Sequence, residues 1–299
     1  MSVKVSDVKI INDEDLNLIK MVEDISFSKG VDLLNTLVAL NTSKQTQLQL
    51  ASSESLTGGL IMSTLVKIPF GGVHKYGCFG VYDTDAKRVF NSVKVNDVYT
   101  HKCAKEMAIG ILKNSNATIA ISVTGNAMPY QDHLERLGEI FLGIAGYCKT
   151  ISNTYEYIYT TQSINVCLGM VSELWKEQRD SNHIGIAPLP EQPPVIPKCI
   201  KWIKEHTKDK SGQSIFPDRK DTSTINLIIR NLTTAEAYKQ CINFINKHTL
   251  VVPSFITTDI NNNQVSSLVS NCNIHNNIPP SKYNRDFEEK CVDPKENKK

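Results

Sequence analysis

The chain has 299 residues, 40% of them apolar and 21% charged, with a formal net charge of +2 and a sequence pI near 8.0. That is the composition of a globular protein, long enough for one substantial core with additions or for two small domains. So small a net charge supports neither nucleic acid nor a membrane surface as a partner, and no apolar run approaches the roughly 18–20 residues of a membrane helix. The opening "MSVKVSDVKIINDEDLNLIK" lacks the unbroken apolar segment of a secretory leader, which makes the cytoplasm the default expectation. Eight cysteines are dispersed without a CxxC pair or zinc spacing, so they read as reduced thiols, and no metal or other cofactor is expected.

Residues 1–30 read as a polar N-terminal extension with one helical patch. "GVDLLNTLVALNTS" then shows helical spacing through Leu33, Leu34, Leu37, Val38 and Leu40. "QLQLASS" alternates as a strand, "LIMSTLVKI" is a short apolar helix, and "GCFGVY" is a second strand. "THKCAKEMAIGILKNS" predicts an amphipathic helix capped by Thr100. Three further strands follow in "TIAISVTG", "GEIFLGIAGY" and "TYEYIYTT". Strands alternating with helices predict a three-layer α/β/α sandwich. Beyond it "SINVCLGMVSELWKEQ" reads as helix, "APLPEQPPVIP" as an extended, partly polyproline path, and "IFPDRKDTSTINLIIRNLTTAEAYKQCINFINKH" as one or two helices. The Asn-rich stretch 249–299 buries too little apolar surface to offset its ordering entropy, and a flexible tail is expected there.

Three stretches can carry chemistry. "SSESLTGG" sets Ser55, Thr57, Gly58 and Gly59 between a strand end and a helix start, where unpaired N–H groups favour an anion. The plainer reading is a capped turn. In "GVYDTDAKRV", Tyr82 ends a strand, Asp83 or Thr84 caps a helix, and Lys87 lies in the first turn, where the helix dipole eases loss of its proton. A solvated surface lysine is the alternative. In "SVTGNAMP", Thr124 and Gly125 end a buried strand and could face a ligand shared with Ser55, and Arg136 downstream could reach an anionic group.

Taken in order, "ASSESLTGGLI", "GVYDTDAK", "THKCAKEMAIGIL" and "ISVTGNAMP…LGEIFLGIAG" resemble the CinA C-terminal domain family, which includes nicotinamide mononucleotide deamidases. The resemblance covers residues 31–160 and implies an α/β domain with a mixed sheet that hydrolyses the carboxamide of nicotinamide mononucleotide to the acid and ammonia. It puts the nucleophile on Ser55, assisting groups on Tyr82 and Lys87, and substrate contacts on Thr57, Gly58, Gly59, Thr124 and Gly125, with self-association as a homo-oligomer. The phosphate falls to a helix N-terminus or Arg136. The family's F-x-G-D-R turn is similar to "FPDR", which gives Arg219 if residues 161–213 are an insertion in a domain spanning 31–248. The other possibility is that the earlier helix closes the fold. The sequence departs from the family at Leu56 for Cys, at Thr84 for Asn, and in the loop "NAMPYQDHLER". These changes keep a second reading in play, a weak or inactive descendant that binds a nucleotide or a protein.

Overall fold

The computed structural model describes residues 13–69, 72–129, 131–168, 195–254 and 256. Five strands form one mixed sheet in the order β2-β1-β3-β4-β5: β1 (Leu50–Glu54), β2 (Lys75–Gly80), β3 (Ile119–Gly125), β4 (Glu139–Lys149) and β5 (Tyr155–Asn165). β1 pairs in parallel with β2 and β3, aligning Ser53 with Phe79 and Ser122. β4 and β5 continue antiparallel, with Thr124 opposite Phe141. β1 and β3 are buried along their whole length, so the alternation that marked β1 in the sequence does not separate a buried face from an exposed one, as befits central strands covered on both sides.

Helices cover both faces. On one lie α1 (Asp13–Lys44), α2 (Leu60–Lys67), α5 (Val195–Thr207) and α6 (Arg219–Lys247), and on the other α3 (Thr84–Asn91) and α4 (His101–Lys113). The main core joins Leu33, Leu37, Leu50, Ile61, Ile121, Ile200 and Ile228. On the second face small residues such as Ala51, Ala108, Ala120 and Ala145 let α4 settle close to the sheet. The expected α/β/α sandwich with a mixed sheet is thus the observed architecture.

The additions differ in detail. The helical spacing that begins at residue 31 extends upstream, because Leu18, Ile19 and Val22 continue the same buried stripe, and α1 is one helix of 32 residues. The strand predicted through Thr161 runs on to Asn165, so the first three residues of the expected helix at 163 pair with β4, and the rest of that helix from 169 lies outside the described residues. At the end of the proline-rich stretch, Val195, Ile196 and Pro197 open α5 instead of an extended path. A proline in a first turn costs no hydrogen bond, and Ile196 is fully buried. The segment from Asp218 is a single helix, α6, with the Asp218 carboxylate accepting from Asp221 N–H at 2.9 Å. After α6 the chain returns to the sheet, where Val251 N–H donates to Tyr147 O and Leu250 is buried, while residues from 257 onward lie outside the described set.

Candidate active site

Parallel strands β1, β2 and β3 all end on the same edge of the sheet, the edge where α/β folds collect ligands. The turns that leave them enclose a cleft of about 540 Å³. Ser55, Leu56 and Gly58 line it from the β1 turn, Tyr82, Thr84 and Lys87 from the β2 side, and Val98 and Tyr99 from the approach to α4. Gly125, Asn126, Ala127 and Met128 follow β3, and α6 adds Asn226 and Arg230. The cleft therefore brings together the three residues singled out as Ser55, Tyr82 and Lys87, which lie up to 32 positions apart in the chain (87 − 55 = 32).

Ser55 sits just past β1 at 6% exposure, anchored by its N–H to Val123 O at 3.0 Å. Its hydroxyl has no hydrogen bond among the described residues, which leaves it to face the cleft. The preceding residue, Glu54, is fully buried, and its carboxylate accepts four hydrogen bonds: Ser52 Oγ at 2.6 Å, Thr57 Oγ1 at 2.8 Å, Ile61 N–H at 3.0 Å and Met62 N–H at 3.1 Å. The positive end of α2, expected to receive an anionic ligand, is thus occupied by the protein's own carboxylate. Thr57 is buried and turned to Glu54, away from the cleft, while Gly59, with φ of 95°, is the left-handed residue that starts α2. Gly58 N–H donates to Ser55 O at 3.1 Å, whereas the N–H groups of Leu56 and Thr57 have no acceptor among the described residues.

Lys87 is only 2% exposed although it lies in the first turn of α3, and its Nζ donates to the backbone carbonyl of Tyr82 at 2.8 Å. Burial lowers its pKa from the ordinary lysine value, against smaller opposing effects of Cys103 and Asp83. The helix is capped by Asp83, whose carboxylate accepts from Asp85 N–H at 2.7 Å. Of the two readings left open for Lys87, the solvated surface residue does not hold. Tyr82 is 65% exposed at the cleft mouth. No hydrogen bond joins Lys87 Nζ to Ser55 Oγ.

The remaining expected residues divide. Gly125 lines the cleft, and a Cβ there would lie 2.3 Å from Glu139 O. Thr124 does not present its hydroxyl to a ligand, because Oγ1 donates to Val98 O at 2.9 Å and so ties the end of β3 to the segment before α4. Arg136 lies outside the cleft lining, held by the Glu139 carboxylate at 2.6 Å with its guanidinium 4.9 Å from the centre of the Tyr99 ring. Arg219 is the exposed first residue of α6. The arginine that reaches the cleft is Arg230, 11 positions on (230 − 219 = 11), or about three helical turns along the same side of α6. Its Nη2 donates to Thr57 O, its Nη1 approaches Asn226 Oδ1 at 3.4 Å, and its buried Nε has no partner among the described residues. Gly58 admits this contact, since a Cβ at its φ of 59° would stand 2.6 Å from Arg230 Nη2.

Arg230, Asn226, Tyr99 and Glu54 were missed from the sequence. A lone arginine inside the apolar run "INLIIRNL" was the available signal for Arg230, because a charge on an otherwise buried helix face needs a reason. The finished site combines an unengaged hydroxyl, a desolvated amine, two unpaired N–H groups and a guanidinium, the parts required for nucleophilic attack on a carbonyl in an anionic molecule. Among the described residues no group of three His, Cys, Asp or Glu could hold a metal ion, and no helix is long and apolar enough to cross a membrane.

Residues 33–168 match the CinA C-terminal domain. A CinA-like protein of Chloroherpeton thalassium is 33% identical over 118 residues, which is 38% of this chain and 28% of that protein. The Protein MG115 homolog of Mycoplasma pneumoniae is 29% identical over 117 residues, 37% of this chain and 71% of that protein. The chain thus spans little more than a quarter of the length of the first relative and most of the second. Among solved structures, a CinA superfamily protein from Klebsiella pneumoniae superposes with a TM-score of 0.38 at 21% identity, covering 47% of this chain and 82% of that one. A competence/damage inducible protein from Agrobacterium tumefaciens gives 0.35 at 26%, covering 44% and 79%. Residues 33–168, somewhat less than half of the chain, are thus similar to the CinA C-terminal domain family.

Proposed function

We propose that the cleft hydrolyses the carboxamide of nicotinamide mononucleotide, releasing nicotinic acid mononucleotide and ammonia. The observation that carries this reading is the convergence in one cleft of an unengaged Ser55 hydroxyl and a buried Lys87, whose burial lowers its pKa from the ordinary lysine value. A neutral Lys87 amine takes the Ser55 proton as Oγ attacks the carboxamide carbon. The oxyanion is received by the unpaired N–H groups of Leu56 and Thr57, each donor being worth about 3 kcal/mol in such sites. Lys87 returns the proton to the departing ammonia, and water then releases the acyl group from Ser55. With α2 already capped by Glu54, the substrate phosphate falls to Arg230, assisted by Asn226. Thr124, Gly59 and Arg136 act indirectly, by shaping the turns. The active unit is a homo-oligomer, as the family resemblance implies.

One observation favours the second reading, a nucleotide-binding descendant without turnover: Lys87 Nζ is engaged by Tyr82 O and not by Ser55. Catalytic hydrogen bonds often tighten only with substrate present. Ammonia release from the nucleotide and from its dephosphorylated nucleoside separates the two. The wild type is expected to prefer the nucleotide, and Arg230→Met to erase that preference by raising KM about 100-fold, the scale of a lost charge-assisted pair. Nucleotide binding without ammonia from either compound would establish the non-catalytic descendant instead.

A further inference from the structure

Among the described residues Glu54 is the fully buried carboxylate at the cleft edge, and nothing in the hydrolysis scheme uses it. It cannot shuttle protons, because it is sealed from the cleft and each oxygen already accepts two hydrogen bonds. Oε1 takes Ser52 Oγ and Met62 N–H, and Oε2 takes Thr57 Oγ1 and Ile61 N–H. These donors come from β1, from the turn that follows Ser55, and from the first turn of α2. The carboxylate therefore stitches together the two elements between which Ser55 is suspended. It also consumes the helix N–H groups at Ile61 and Met62 and leaves those of Leu56 and Thr57 unpaired beside Ser55.

We infer that Glu54 is a positioning residue: its buried carboxylate fixes the turn 55–57 so that the Ser55 hydroxyl and the Leu56 and Thr57 N–H groups address the same carbonyl. The inference rests on the reading of Ser55 as nucleophile and extends it to a group that touches no substrate. Charge and shape are both required. A glutamine of equal length turns one acceptor into a donor facing a backbone N–H, Met62 or Ile61 according to its rotamer, and removes the negative charge that complements the α2 dipole. Ser52 and Thr57 can rotate their hydroxyls to adapt, but a backbone N–H cannot.

The test uses two readouts on the full chain: steady-state ammonia release from nicotinamide mononucleotide, and the rate at which a fluorophosphonate probe labels Ser55. Glu54→Gln is expected to lower kcat about 100-fold, the cost of roughly 1 Å of misplacement, with KM within about threefold of wild type because Arg230 is untouched. The labelling rate is expected to fall in parallel. Thr57→Val, which removes one of the four donors, is expected to fall between, and Thr57→Ser, which keeps the hydroxyl, to recover most of what Thr57→Val loses. Should Glu54→Gln fail to fold, the Thr57 pair carries the test. If labelling proceeds and responds to these changes while the nucleotide is not hydrolysed, the substrate assignment fails and the positioning role stands. Wild-type labelling and turnover in Glu54→Gln, or equal rates in Thr57→Val and Thr57→Ser, would overturn the role. A wild type that is neither labelled nor active overturns both.

Discussion

Lys87 is a lysine that the fold holds almost entirely out of water, with the Tyr82 carbonyl as its hydrogen-bond partner among the described residues. Its pKa lies below the ordinary value because burial penalises the charged amine. If the neutral amine is the base, kcat/KM climbs with pH through that lowered value and then levels. Lys87→Arg, whose guanidinium keeps its proton, should reduce turnover about 1,000-fold across the whole range. Stability carries the same signature. In the interval between the lowered folded value and the unfolded lysine value, the unfolded chain binds the proton and the folded one does not, so stability rises with pH there. Thermal melts of Lys87→Met should show that rise flattened. At this scale much of the site was legible: Ser55, Tyr82 and Lys87 stood in ordered motifs on strand-to-helix turns. Thr124 was legible only as a position, since the direction of its hydroxyl depends on Val98, which approaches from 26 residues away.

At the level of elements, the site depends on how closely α3 and α4 pack, because α3 carries Lys87. Asn91 at the end of α3 links three parts of the structure: its Oδ1 accepts from Ser53 Oγ of β1 at 3.0 Å, and its Nδ2 donates to Met107 O of α4 at 3.2 Å. Its own carbonyl rests against Gly110, where a Cβ would lie 2.0 Å away. Backbone cannot yield as a flexible side chain can, so Gly110→Ala must separate the helices. We expect a loss of about 2–3 kcal/mol, the upper range of overpacking, read in a denaturant titration, together with weaker activity as α3 shifts Lys87. The strands and helices of this region were legible because their hydrophobic periods are strong and Thr100 marks the start of α4, its hydroxyl accepting from Cys103 N–H at 3.1 Å. The arginine of α6 was assigned to Arg219 because the motif drew attention to the helix start, whereas the cleft meets that helix three turns later.

Across the whole molecule, the Arg230 side of the cleft is placed by a helix distant in sequence. α6 lies against β3, β4 and α2 and pairs lengthwise with α1, so Arg230 depends on a core that starts at Leu18. Leu37→Ala, at a fully buried position between these helices, should cost about 2–5 kcal/mol and lower the melting temperature. Such long-range packing was not legible, because the polar face of residues 13–30 conceals a stripe that gains meaning only against α6. The central claim remains that the cleft performs amide hydrolysis through Ser55. It is tested most directly by incubating nicotinamide mononucleotide with the wild type and with Ser55→Ala and measuring ammonia against nicotinic acid mononucleotide. The account predicts equal amounts of both products from the wild type and a loss of about 10⁴-fold or more in Ser55→Ala. Absence of product from the wild type, or unchanged rates in Ser55→Ala, would contradict it.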